Sequence, residues 1–284
     1  MEKFDLNRAR LRNPDYFKRF EVKGEPLSLE ILGLPDKEEL LVFEKNNHRY
    51  GFLLQELAYH HVAQGKIEDE PFMVSFCVVC HSAVGFTPKI ENQTLHFSAG
   101  GLYDGIVLLI DDETLSYWNH ITGKSGFGRS EGKSMELFNL SVTTVEAERK
   151  EKEPAKIWLS NPPLWARFFG WLNRGRINSK GFLPPGFGKT MRPIDSRLEK
   201  MTQGLGVVIG KVSRFYPKAT LSKPIKDQLD DKELIVSIHP ISKVPYAVDE
   251  EGHFPFQLFS RWYGFSATFP RCSVFRNEKL KMKR

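Results

Sequence analysis

An apolar run, Pro71-Phe72-Met73-Val74-Ser75-Phe76, ends in Cys77-Val78-Val79-Cys80-His81, and a second run, Ala83-Val84-Gly85-Phe86, follows almost at once. Two short apolar runs with so little chain between them read as strands that reverse direction over a tight turn. The turn then carries two thiols three residues apart. Thiols at that spacing can grip one metal ion, cycle with a disulfide, or add to the vinyl groups of a haem. Each chemistry belongs to a different kind of protein, and all three place the functional centre here.

The rest of the composition sets bounds. A chain of 284 residues, 40% hydrophobic and 12% aromatic, can bury a substantial core as one large domain or two small ones. The net charge of +6 is spread over 41 basic and 35 acidic residues. Interspersed signs of this kind give a solvated surface rather than a nucleic-acid stripe, so nucleic-acid binding is not expected. No apolar stretch approaches the roughly 20 residues a membrane span needs. The start, Met1-Glu2-Lys3-Phe4-Asp5, lacks the apolar stretch of a signal peptide. As written, the chain reads as cytoplasmic, where three cysteines stay reduced and build no disulfide framework.

Residues 1–39 are charged and broken by Pro14, Gly24, Pro26, Gly33 and Pro35, and read as a lead-in segment. Leu40–Phe43 is a strand candidate and Asn46-Asn47 a turn. Tyr50 to Ala63 is expected to be a helix, with Phe52, Leu53, Leu57 and Val62 near one face. Leu95–Phe97 and Ile106–Ile110 continue the strand pattern, with a turn at Asp111–Thr114. Residues 40–150 thus form a first half carrying the thiol turn. Residues 151–200 are a connector: a helix from Leu164 to Asn173, then the Gly/Pro-rich Gly181–Gly188. Its aromatics and flanking arginines leave peripheral membrane contact open through residues 164–176, although packing across a sheet is favoured. Residues 201–276 echo the first half: Val207-Val208-Ile209, Arg214-Phe215-Tyr216 and Leu234–His239 repeat the order of Leu41-Val42-Phe43, Arg49-Tyr50-Gly51 and Phe72–Cys77. His239 then stands where Cys77 does, and Ser242 where Cys80 does. Residues 277–284 are a basic tail. The predicted class is α+β: a β-rich core of mostly antiparallel strands with a few helices, built from two related halves.

Several of these stretches resemble a bacterial and archaeal family known as domain of unknown function 3179. They are Leu57-Ala58-Tyr59-His60, Val74 to Cys80, Phe97-Ser98-Ala99-Gly100-Gly101-Leu102, Leu108–Asp111, Thr114–Trp118, Arg192–Leu198, Arg214–Pro217 and Ser260–Phe265. The family commonly has proline after the first cysteine and a small residue after the second, where this chain has Val78 and His81. The resemblance implies the fold and the place of the site. It implies no activity, and it implies relatives that are often exported.

A tetrahedral metal site needs two ligands beyond Cys77 and Cys80, and Cys272 is distant in sequence. The candidates are His60, His61, His81, His96 and His120, of which His60 and His120 are preferred because they fall in or beside the matched stretches. His81, next to Cys80, is expected to point away. Two sulfurs with imidazole suit zinc or copper. The rival is a thiol–disulfide oxidoreductase using Cys77 and Cys80, weakened because no helix N-terminus flanks them. Covalent haem satisfies the string Cys77 to His81 but needs export, and is the least favoured. Inert cysteines in a structural or interaction protein are the remaining alternative. Asp104, Asp111, Asp112 and Glu113 lack calcium-loop order. Neither a substrate nor a partner can be named from the sequence.

Overall fold

Asn46 and Asn47 take left-handed backbone angles, φ 52° and 61°. A two-residue turn of this kind matches the right-handed twist of the strands it joins. It links β1 (Glu39–Lys45) to β2 (His48–Leu53), paired from Lys45 opposite His48 to Leu40 opposite Leu53. The expected helix over Tyr50 to Ala63 is therefore only half present. Phe52 and Leu53 are buried by strand pairing, and the helix α1 runs from Leu54 to His60. Gly51 favours the strand as well: a Cβ there would lie 2.8 Å from the Leu41 carbonyl oxygen. His61, left-handed at φ 62°, closes the helix, its N–H donating to the Leu57 carbonyl.

The computed structural model describes residues 4–166 and 183–276, which divide into two units at Arg192/Pro193. After α1, the first unit forms a meander of β3 (Val62–Ile67), β4 (Glu70–Cys77) and β5 (Ser82–Thr87), all antiparallel. A second antiparallel run follows: β6 (Phe97–Tyr103), β7 (Ile106–Asp111), β8 (Tyr117–Asn119) and β9 (Ser125–Phe127). β10 (Glu136–Phe138) returns to pair with β5. β11 (Ser141–Thr144) pairs antiparallel with β1, a short helix α2 (Val145–Glu148) follows, and β12 (Lys156–Trp158) pairs parallel with β2. The lead-in belongs to this unit: Arg10–Leu11 extends the β6 edge and Phe20–Glu21 extends the β3 edge. Rings from the β1–β2 and β3–β5 sheets interlock, with Phe72 at 5.3 Å from Phe43 and 5.5 Å from Trp158. Such ring pairs each add about 1 kcal/mol beyond their buried area.

The second unit begins with a hairpin of β13 (Gln203–Ile209) and β14 (Val212–Pro217). A single turn of 3-10 helix, Lys218–Thr220, leads to a meander of β15 (Ile225–Leu229), β16 (Lys232–Ile238) and β17 (Pro245–Asp249). β18 (Phe256–Arg261) pairs antiparallel with β13, helix α3 (Trp262–Thr268) follows, and β19 (Ser273–Val274) pairs parallel with β14. Its core holds Leu205, Val207, Tyr216, Leu234, Val236 and Ala247. The turn after β16 has a defined form. The His239 Nδ1 accepts the Ser242 N–H at 3.2 Å, and Lys243 is left-handed at φ 58°. The turn after β4 is alike: the Cys77 Sγ accepts the Cys80 N–H at 3.4 Å, and His81 is left-handed at φ 56°.

The fold is thus β-rich and mostly antiparallel, with few helices. Among the described residues no helix is long and apolar enough to cross a membrane. The expected helix beyond Ala166, the first two residues of the Gly/Pro-rich segment and the basic tail lie outside the described residues.

The Gly100-Gly101 pair has a local cause. Gly100 is the extra residue of a bulge between β6 and β7, and Gly101 sits at φ 139° where a Cβ would stand 2.0 Å from the Arg10 carbonyl oxygen. Gly101→Ala should therefore detach the Arg10–Leu11 edge strand and cost roughly 2–3 kcal/mol of unfolding free energy, read by urea denaturation. A loss below about 0.5 kcal/mol would contradict this account.

Candidate metal centre

Cys77 is the last residue of β4 and pairs across the hairpin with Ser82, the first of β5. Residues opposite each other in a ladder share a face, and so do residues two apart on one strand. Ser75, Cys77 and Ser82 therefore present their side chains together. The four residues between β4 and β5 curl back, so Cys80 comes over the same face, its N–H on the Cys77 sulfur. β7 lies against the pair, with the Val107 N–H donating to the same sulfur at 3.4 Å.

His120 arrives from elsewhere in the chain. It follows β8 in a loop held by Asn119, whose side-chain oxygen accepts the N–H groups of Ile121 (2.8 Å) and Thr122 (3.0 Å). Gly123, left-handed at φ 63°, completes the reversal. The imidazole lands between two hydroxyls: Nδ1 is 3.0 Å from Ser75 Oγ and Nε2 is 2.8 Å from Ser82 Oγ. Ser82 Oγ is also 2.9 Å from Cys80 Sγ. The result is a continuous buried chain, Ser75–His120–Ser82–Cys80–Cys77, every member 0% exposed. One ligand atom each from Cys77, Cys80 and His120 lies within 4.8 Å of the others.

Burial sets the protonation. It drives the His120 imidazole, with His61 nearby, down to about 3, so the ring is neutral and able to donate a lone pair. Burial also opposes ionisation of both thiols, but they part company. For Cys77 the contact with Cys80 and the N–H groups of Cys80, Val107 and Val79 outweigh burial, and its thiol falls below the ordinary value. For Cys80 burial and the neighbouring Cys77 act together, and its thiol rises well above.

The other histidines go elsewhere. His60 has both ring nitrogens engaged, Nδ1 with the Lys18 carbonyl (2.6 Å) and Nε2 with Ser160 Oγ (3.0 Å), and it is not brought to the thiols. His61 Nδ1 faces the Phe76 carbonyl at 3.3 Å. His81 is buried in the turn and meets Phe76 edge-on at 5.6 Å. His96 is exposed beside Glu113. The carboxylates are also engaged. Asp111 accepts from Trp118 Nε1, from the Thr114 N–H and hydroxyl and from the Ser116 N–H, while Asp104 is held by Arg8 and Arg192 and Asp112 by Arg19. Ser75 and Ser82 were not among the sequence candidates. The signal was the register itself: once Cys77 is placed at a strand end, residues 75 and 82 must share its face.

The chain belongs to the family described as protein of unknown function (DUF3179), which it matches over residues 17–254. No curated protein matches it, and no solved structure does.

The neighbouring His61 offers a clean pH test. Burial lowers its pKa to about 4 against an ordinary 6.5, so between those values the unfolded chain binds the extra proton. Stability from this group is present above pH 6.5 and is lost as pH falls towards 4. His61→Asn, which tolerates the left-handed angle and carries no titrating ring, should flatten the decline by up to about 3 kcal/mol across that window. Urea melts at stepwise pH check it, and parallel profiles for variant and parent would refute it.

Proposed function

We propose that Cys77, Cys80 and His120 bind one thiophilic transition-metal ion, zinc or copper. The observation that carries this reading is convergence: a histidine from a separate hairpin meets two thiols on a turn, with ligand atoms no more than 4.8 Å apart and all three residues fully buried. Tetrahedral zinc with Zn–S near 2.3 Å and Zn–N near 2.0 Å sets its ligand atoms roughly 3.5–4 Å apart, so closure is small. Two thiolates on a divalent ion make a neutral unit, which suits a site without water. Neutral imidazole at Nε2 is the required form, with Ser75 on Nδ1 as outer partner. His60 is left out of the ligand set, because both its nitrogens are engaged by Lys18 and Ser160.

The unequal thiols favour a second reading, a dithiol that cycles with a disulfide, in which Cys77 is the more readily ionised partner. Full burial of both sulfurs speaks against exchange with a large disulfide substrate. Untagged full-length protein, purified without chelator, should hold about one zinc or copper per chain by elemental analysis. Cys77→Ser, Cys80→Ser and His120→Ala should each lose it, and His60→Ala should keep it. Metal-free protein in all preparations, with reversible formation of a Cys77–Cys80 disulfide, would replace the metal reading by the redox one.

We also infer that the two units descend from one duplicated element. In its support, each has a hairpin, a helical segment, a three-stranded meander, and then an antiparallel strand, helix and parallel strand, with β6–β10 inserted after the meander in the first unit, and each closes the meander's second turn in the same way. Only the first unit has thiols there, so only the first would bind metal.

A further inference from the structure

We propose that the cleft between the Leu6–Arg10 segment and the Pro185–Thr190 turn is a binding site for a small phosphate-bearing molecule. The cleft measures about 430 Å³ and is lined by Arg8, Arg10, Lys189, Asn7 and Thr190, with no carboxylate on its walls. Neither Arg10 nor Lys189 is neutralised by a carboxylate among the described residues. Arg10 donates to the Pro185 carbonyl, which holds the guanidinium in place and leaves its charge intact. Lys189 is exposed and forms no ion pair among the described residues. Arg8 lies over the Tyr103 ring at 4.9 Å and pairs with Asp104, but Asp104 is shared with Arg192 at 2.6 Å. The remaining carboxylate close by, Asp5, caps the Leu6–Arg8 turn through the Asn7 N–H. Arg10 and Lys189 thus line the cleft without an ion pair among the described residues, a surplus that matches a phosphate dianion.

The donor chemistry agrees. Planar guanidinium groups and an ammonium are the groups that bind phosphate oxygens, bidentately for arginine and as a point charge for lysine. The Arg8 Nε–H is buried and finds no acceptor among the described residues, although most buried donors do. The volume exceeds what a bare phosphate fills and falls in the range of small-molecule pockets. The site is separate from the thiol centre, and no residue is common to both.

Calorimetric titration of the full-length protein with inorganic phosphate and with phenyl phosphate, at low salt, tests the assignment. Saturable binding with a dissociation constant below about 10 mM is expected, weakened roughly tenfold or more by Arg10→Gln with Lys189→Gln. Tighter binding of phenyl phosphate would identify an organic phosphomonoester as the ligand class, and equal affinity would identify free phosphate. Lys189→Gln alone removes a solvent-facing side chain, so it keeps the test valid if the double variant folds poorly; it should weaken binding by at least about threefold. Absence of saturable heat with either probe, affinities unchanged in the variants, or equal binding of chloride would overturn the proposal.

Discussion

The register that sets Cys77 opposite Ser82 governs the first unit. Side chains alternate along a strand, so a slip of β4 by one residue would turn Ser75 and Cys77 away from the face of Ser82 and bring Val74 and Phe76 into their place. The aromatic core prevents that slip. Phe72 on the same strand sits against Phe43 and Trp158 from the neighbouring sheet, and Phe138 covers Gly85, where a Cβ would fall 2.0 Å from its ring. The hydrophobic contacts of one face therefore fix the polar contacts of the other.

The polar side is as tightly specified. Buried hydroxyls, thiols and imidazoles cost free energy unless each finds a partner, and a network with one member missing is worse than none. Here Ser75, His120, Ser82 and Cys80 satisfy one another within 3.0 Å. The loop that delivers His120 is itself locked by Asn119 and by Trp118, whose indole N–H is bonded to buried Asp111. These side chains are consequently held in place, with little rotamer freedom left.

Much of this was legible in the sequence. The cysteine turn between two strands, the Asn46-Asn47 reversal and the β-rich class follow from short-range signals of residue type and spacing. The helix over Tyr50 to Ala63 did not hold, because Phe52 and Leu53 satisfy a strand's pairing as well as a helix's face, and only the long-range partners Leu40 and Leu41 decide between them. The choice among histidines had the same character. His60 and His120 were equal as sequence candidates, and what separates them is a carbonyl at Lys18 and two hydroxyls at Ser75 and Ser82, none of which is a sequence neighbour. The matched stretches Arg192–Leu198 and Ser260–Phe265 became explicable only in three dimensions, where Asp195 and Arg197 receive and cover Trp262.

The turn after β16 serves as an internal reference for the turn after β4. It closes over the same span, on the same backbone angle at its last residue and on the same acceptor-to-N–H contact, with an imidazole and a hydroxyl side chain in place of the sulfurs. Sulfur is therefore dispensable to the backbone path, and the mechanical requirement of the turn is met by other chemistry within the same polypeptide. On the metal reading proposed above, what Cys77 and Cys80 add is donor chemistry rather than shape, set where the His120 imidazole from another hairpin meets them.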